Sequence, residues 1–376
     1  MKKLYRLDAW HKLLALRFKS LKWRHGVLIA LLILVTLTKM IPLWGFIYTT
    51  RIYPVIGTLL SPISGIFPFA VGDIFIALSI AWVILYPIYE MGWRKKMVLG
   101  RVAEYLLWVY AWFYIAWGLN YSQPNIFYRI GMKPVEVSKA KFKKFAYQYA
   151  DSINALSNAS LSNARKSISP DSIVDNALKN RVRDAVLKEY NKIGYREGIN
   201  RPFNQHPHAK TMVFTPLSSM AGVTGSMGPF FCEFTLNGDI LAHDYPATYA
   251  HEFAHFLGVA NEGEANFYSY IVCTASADKQ VRFSGYYHIF FHVLNNVYDI
   301  LGEKEGERFL KHIRPEIIQR ARNDRYYWLS KRCKALDAAQ DVIFELYLRG
   351  NHVAEGRKSY SGVIGLILAW EEKIKK

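Results

Sequence analysis

The sequence predicts three N-terminal transmembrane helices followed by an α-rich α+β domain with a small sheet. Three observations predict it. Apolar runs long enough to span a bilayer are confined to residues 1–121. The excess positive charge gathers beside those runs: residues 1–120 hold 14 Lys and Arg against Asp8, Asp73, Glu90 and Glu104, which is +10 of the chain's +18. Beyond Tyr121 the apolar residues recur mostly at helical spacing. The 376 residues are 51% apolar and 15% aromatic, which excludes global disorder. Three cysteines without metal-type spacing (Cys232, Cys273, Cys333) exclude a disulfide scaffold and read as small buried hydrophobes.

The membrane elements come first. Met1–His25 is a basic lead with eight Lys and Arg. The first span is 27–48, interrupted only by Lys39, which can snorkel to the headgroups. A cleaved signal peptide fits less well, because the lead is long and no small-residue cleavage site follows. Tyr53–Gly72 carries Pro54, Gly57, Pro62, Gly65 and Pro68, so an irregular interfacial connection is expected rather than one helix. Residues 74–89 form the second span and 97–121 the third, with Arg101 and Glu104 expected to pair. Basic residues in the lead and in the loop 92–101, against Arg51 alone in the intervening loop, place the N-terminus in the cytoplasm. Three crossings then put domain 122–376 outside the cytoplasm, in a multi-pass protein whose first partner is the lipid bilayer.

In that domain, 137–156 and 172–193 read as amphipathic helices joined by a Ser/Asn-rich loop over 157–170. Short strands are expected at 211–215 and 229–237, the second closed by Asn237-Gly238. Helices follow over 246–257, 262–276, 284–301, 305–322 and 335–349. The apolar stretch 361–370 is too short to span and reads as a core helix or a membrane-surface contact.

The chemistry is carried by His251-Glu252-Phe253-Ala254-His255, an HExxH motif. On a helix, residues four apart share a face, so both imidazoles can address one metal ion. Glu252 sits beside them, off the ligand row, where it can take a proton from metal-bound water. A catalytic zinc site takes three protein ligands and leaves the fourth position to water. Glu262 is the expected third ligand, aimed back by a reversal at Gly258; Glu264 is the alternative and Asn261 comes last. Asn266, four residues after Glu262, can hydrogen-bond a ligand histidine.

Asn261–Asn266 (NEGEAN) resembles the Glu-bearing second element of the gluzincin metalloproteases, in which the first Glu completes the zinc site. The spacing after HExxH is nearer that of metzincins: Gly258 matches their glycine, but Asn261 stands where their third histidine would be. The whole chain also resembles a bacterial membrane family catalogued as a domain of unknown function, number 3810. Its landmarks are Phe67-Pro68-Phe69-Ala70-Val71-Gly72-Asp73, Trp117-Gly118-Leu119-Asn120-Tyr121, HEFAH with Glu262–Phe267, and Gly356 with Ser359-Tyr360. The resemblance implies a zincin-like domain in a membrane-anchored, zinc-dependent metallopeptidase, acting on a peptide or protein substrate that the sequence does not identify.

The expectation is therefore Zn²⁺ on His251, His255 and Glu262, with Glu252 as the base that delivers water to a peptide carbonyl. The competing reading is an inactive, zinc-stabilised membrane interaction module, which gives no reason for an intact Glu252. A nucleic-acid partner is not expected, since residues 121–376 carry only +8 and no recognition motif. Pro229–Asn237 is weighed as an edge strand for an extended substrate against plain core packing. Tyr268, Tyr286, Tyr287, His288 and His292 are weighed as oxyanion stabilisers against structural roles. His243 has sequence proximity only; His206 and His208, in a polar Pro-bearing loop, read as solvated, and Asn158-Ala159-Ser160 fits a glycosylation acceptor, a match that is idle in a bacterial-looking chain.

Overall fold

The computed structural model describes residues 23–90, 95–134, 138–164, 174–194, 197–205, 207–336, 338, 342 and 362–375. The basic lead Met1–Lys22, His206, most of the expected helix 335–349 and the landmarks Gly356, Ser359 and Tyr360 lie outside the described residues.

The first apolar run is two helices. Pro42 lacks an N–H, and the chain extends at Ile41 (φ −113°, ψ 102°), so Trp23–Met40 stops there and Pro42–Ile47 restarts. A π-turn over Tyr48–Ile52 leads into the helix Tyr53–Gly65. The irregular connection expected over 53–72 is thus helical for 13 residues. Pro54 lies in the first turn, where its missing N–H costs nothing. Gly57 is a packing residue: a Cβ there would stand 2.5 Å from the Phe203 ring.

Among the described residues two helices, Trp23–Met40 and Val71–Glu90, are long and apolar enough to cross a membrane, not the three expected. The third, Lys95–Ala116, is long enough at 22 residues. Arg101, Glu104 and its tyrosines and tryptophans make it too polar. It lies between the other two. At one end Arg24 Nε meets Glu104 Oε1 at 2.8 Å; at the other Lys39 Nζ donates to Tyr114 Oη at 3.0 Å. Arg101 does not pair with Glu104 as expected but donates to Tyr86 Oη at 2.7 Å, because neighbouring helices offer both charges better-aligned partners. Only 17% and 6% of the apolar windows of the two spanning-length helices are buried, which is not the burial of core helices.

The rest is helix-rich around a three-stranded sheet of order β1-β3-β2. β1 (Lys210–Thr211) runs parallel to β3 (Glu233–Leu236), and β2 (Gly225–Gly228) runs antiparallel to it, with Gly225 opposite Leu236. The strand expected over 229–237 is therefore the middle strand, shortened at Cys232 (φ 48°) and buried on both faces. It is no edge. β2, too glycine-rich to be read as a strand, is the edge beside it.

Helix Lys139–Ala164 packs on the later helices and Asn176–Lys192 on the helices Tyr245–Phe256 and Glu262–Ala275, the first continuing through part of the expected loop 157–170, since no breaker precedes Pro170. The expected helix 284–301 is two, Lys279–His288 and Phe290–Leu301; 305–322 becomes Glu303–His312 and Pro315–Lys331, divided where Pro315 opens a new first turn. Val363–Ile374 resolves the terminal apolar stretch as a core helix, with Val363, Ile364 and Leu366–Ala369 buried. At the centre lies the helix Tyr245–Phe256, every residue of it buried. Phe253 and Phe256 stack on it, with Phe234 of β3 and Tyr190 against them.

Candidate metal centre

The centre is built from two consecutive helices and the turn between them. Pro246 occupies the first turn of Tyr245–Phe256, which carries the HExxH motif. The helix ends at Gly258 (φ +95°). A side chain at Gly258 would be strained, and its Cβ would lie 3.1 Å from both Asn120 Oδ1 and Tyr53 Cδ1. The chain reverses, and Asn261 caps the helix Glu262–Ala275, its Oδ1 accepting from Glu264 N at 3.0 Å. Asn261 is thus a cap and not a ligand.

The last carbonyls of the motif helix and its turn are held by distant side chains. Trp117 Nε1 donates to His255 O (3.0 Å), Tyr53 Oη to Phe256 O (2.7 Å), Asn200 Nδ2 to Leu257 O (2.9 Å) and Gln123 Nε2 to Gly258 O (2.7 Å). These bonds satisfy acceptors at the helix end, His255 O in addition to the bond it accepts from Gly258 N at 2.9 Å. Three of the four donors belong to the N-terminal 123 residues, so the helices of the expected anchor position the motif directly. Nothing in sequence proximity reveals this, although the Trp117–Tyr121 landmark contains one of the donors.

His251 Nε2, His255 Nε2 and Glu262 Oε2 converge. His251 Nε2 lies 3.1 Å from Glu262 Oε2 and 3.1 Å from His255 Nε2, and His255 Nε2 lies 3.5 Å from the same carboxylate oxygen. The far nitrogens fix both rings. His251 Nδ1–H donates to Asn266 Oδ1 at 2.8 Å, and His255 Nδ1–H to Val259 O at 2.6 Å. Each Nε2 is left to offer a lone pair inward. Three electron-pair donors this close repel unless positive charge sits among them. Their separations also match the roughly 3.3 Å between ligand atoms of a tetrahedral zinc with bonds near 2.05 Å. The donor set fits a metal ion of zinc type.

Glu264 points elsewhere. Its carboxylate meets Arg129 Nη2 at 2.6 Å and accepts from Ile126 N at 3.0 Å, and both ionic side chains are buried. Two residues along a helix are roughly 200° apart, so the two acids of Glu262–Glu264 face opposite ways.

The electrostatics follow from burial. Burial raises the Glu252 carboxyl above its ordinary value; the two histidines act against that and Glu262 adds to it. Glu262 is held well below the carboxylate range by His255 and His251, despite its burial. Burial disfavours charge on His255, yet Glu262 pushes the imidazole up to about 9 without a metal. Glu252 Oε2 is buried with no hydrogen-bond partner among the described residues. Gly225, at the start of β2, admits this carboxylate: a Cβ there would be 2.4 Å from Glu252 Oε1.

The other candidates fall on both sides of the centre. His288 belongs to it: its Nε2–H donates to Asn266 Oδ1 at 2.9 Å, and burial beside His251 pushes its pKa down to about 3. Tyr268 donates to Glu197 O, Tyr287 to Asp324 Oδ2, and Tyr149 to Tyr286 O, which places these tyrosines in the packing. His243 is not solvated; its Nε2 lies 2.8 Å from Asp324 Oδ2, in a second cluster with Asp244 at the start of the motif helix. His208 lies near Arg183, 3.4 Å from its Nη1.

No curated protein and no solved structure matches the chain. One family model does, over residues 48–368, a range that contains the whole metal centre and the four donors that clamp its turn. The chain belongs to that family, described as "Protein of unknown function (DUF3810)".

Proposed function

We propose that the chain is a membrane-anchored zinc metallopeptidase. The observation that carries the reading is the convergence of His251 Nε2, His255 Nε2 and Glu262 Oε2 within 3.5 Å, beside a buried carboxylate with an unpartnered oxygen. His251, His255 and Glu262 would hold the zinc, which when bound supplies a Lewis acid and lowers the pKa of water. Asn266 holds His251 in the tautomer that presents Nε2, and Val259 O does the same for His255. Glu252 has no ligand role; its carboxylate, made more basic by burial, takes the proton of the attacking water and returns it to the leaving amine. A structural zinc site needs no such base, which weighs against the inactive-module reading.

For the membrane, we read Trp23–Met40 and Val71–Glu90 as crossing the bilayer and Lys95–Ala116, packed along both, as crossing beside them, so that the chain crosses three times. The Arg24–Glu104 end of this bundle is the basic end and faces the cytoplasm. The Trp117–Gln123 end holds the metal centre and therefore lies on the other side. The deciding experiment measures zinc per chain by mass spectrometry and cleavage of a peptide library. We expect one zinc in the wild type and in Glu252→Gln, cleavage in the wild type only, and neither in His251→Ala/His255→Ala. A full zinc complement in the double histidine variant would refute the site.

A further inference from the structure

A cavity of about 380 Å³ opens on another face of the motif helix. Tyr245, Tyr249 and Phe256 wall it. By helix spacing they share a face roughly 120° from that of His251 and His255. The cavity is therefore separate from the metal centre.

Its lining is cationic. Lys179, Arg183 and Lys210 face one acid, Glu233. Lys210 and Glu233 neutralise each other: their charges meet at 2.7 Å with side chains 8% and 3% exposed. Glu233 also accepts from Gly72 N, and Lys210 donates to Ser64 O. Two further cations line the cavity, Lys179 and Arg183, one turn apart on Asn176–Lys192 with Asn176 and Asn180 beside them. Arg183 is only 17% exposed; it pairs with Asp184 Oδ1 through Nε and Nη2, both at 2.9 Å, but that carboxylate is 67% exposed, solvent-screened and outside the cavity lining, and the guanidinium also contacts Asn180 Oδ1 at 3.1 Å and His208 Nδ1 at 3.4 Å. The Lys179 ammonium has no partner among the described residues. Two cations among neutral amide and hydroxyl donors, in a pocket of small-ligand size, suit an anion with several acceptor oxygens.

The mouth of the cavity indicates where that anion comes from. Phe67 and Pro68 line it and lead within three residues into the apolar helix Val71–Glu90. Phe67 of that lining is exposed, and so are Ile63, Ile66 and Phe69 beside it in sequence, Ile66 by 77%. A soluble surface gains nothing from such an apolar stretch, whereas a bilayer surface covers it.

We propose that this cavity binds a phosphate-bearing anion through Lys179 and Arg183, supplied as the headgroup of an anionic phospholipid at the membrane surface. The phosphate site stands on the cavity alone; the lipid source rests on the membrane reading given above, and neither rests on zinc.

The test uses the full chain in neutral detergent and two probes, dihexanoyl phosphatidylglycerol and inorganic phosphate, titrated calorimetrically. Lys179→Gln and Lys179→Gln/Arg183→Gln are compared with Lys188→Gln, an exposed lysine on the same helix that does not line the cavity. We expect phosphatidylglycerol to bind the wild type and Lys188→Gln alike, and to bind the single and double cavity variants at least about threefold and tenfold more weakly. Loss of phosphate binding in the cavity variants with no preference for the lipid would assign the site to a free phosphate group and remove the lipid source. Equal affinities in all four proteins, or an equal loss in Lys188→Gln, would overturn the site itself. Thermal melting of each variant separates misfolding from lost contacts, and Lys179→Gln alone carries the test if the double variant does not fold. Zinc content and flotation of the wild type with phosphatidylcholine vesicles are measured in parallel, so failure of the zinc or membrane reading registers separately.

Discussion

Glu262 and Glu264 lie two residues apart, yet their removal should fail in opposite ways. Glu264 and Arg129 form a buried pair at 2.6 Å, with side chains 7% and 3% exposed. Glu264 Oε1 also accepts from Ile126 N. Glu264→Ala strands a buried guanidinium and unpairs a buried backbone donor. Removing one partner of a buried pair costs about 3–5 kcal/mol, and an unsatisfied buried donor adds about 1–3 kcal/mol. A loss of at least about 3 kcal/mol is expected, while the cap between Asn261 and Glu264 N survives because it uses the backbone. Glu262→Ala removes the favourable contact of the carboxylate with the His251 and His255 rings in the metal-free chain, but both imidazoles can then stand neutral, so it strands no buried charge. The assay is chemical denaturation of the detergent-solubilised chain in the metal-free state, with zinc affinity measured by chelator competition. Glu264→Ala should unfold at clearly lower denaturant yet bind zinc within about threefold of the wild type while folded. Glu262→Ala should lose less stability than Glu264→Ala and lose at least about tenfold in zinc affinity. The double change Arg129→Met/Glu264→Leu should recover much of the lost stability, because it removes both charges. If Glu264→Ala weakens zinc while Glu262→Ala does not, the ligand assignment and the reasoning from opposed helix faces are both wrong.

Further outcomes are expected elsewhere. Asn266→Ala frees the His251 and His288 rings and should weaken zinc binding by about 10–100-fold without removing a ligand, read by the same competition assay. Gly225→Ala sets a Cβ against the Glu252 carboxylate and should lower peptidase turnover by at least about tenfold while zinc per chain stays at one; unchanged turnover would show that the close approach has no bearing on the base. Burial, partly offset by His243, raises the Asp244 carboxyl from its ordinary 3.8 to about 6. Its folded state holds the proton longer than its unfolded state, so this contribution to stability is complete below pH 3.8 and lost as pH rises through 6. Asp244→Asn should flatten the melting temperature between pH 4 and 6, and an unchanged slope there would refute the assignment.

What the sequence determined by itself is local. Helical spacing puts His251 and His255 on one face; Gly258 permits the reversal; four-residue spacing sets Glu262 and Asn266 together and turns Glu264 away. Those facts concern neighbours within 16 residues, and backbone geometry alone transmits them. Apolar length likewise made Trp23–Met40 and Val71–Glu90 legible, and the hydrophobic alternation pointed to the segment that becomes β3.

What only the tertiary structure decided depends on partners far away in the chain. Periodicity does not say that Pro54 falls in a first turn, that a glycine-rich segment completes the sheet as β2, or that β3 is therefore its middle. Glu104 chose Arg24 over Arg101 because the adjacent helix offered a better-aligned guanidinium. The carbonyls ending the motif helix are satisfied by Tyr53, Trp117, Gln123 and Asn200, up to 203 residues away in sequence. A buried polar group must find a partner somewhere, but the sequence records only that the need exists. The fold chooses which side chain meets it, and here it chose side chains as distant as Tyr53 and Trp117 to hold the turn after the HExxH helix in place.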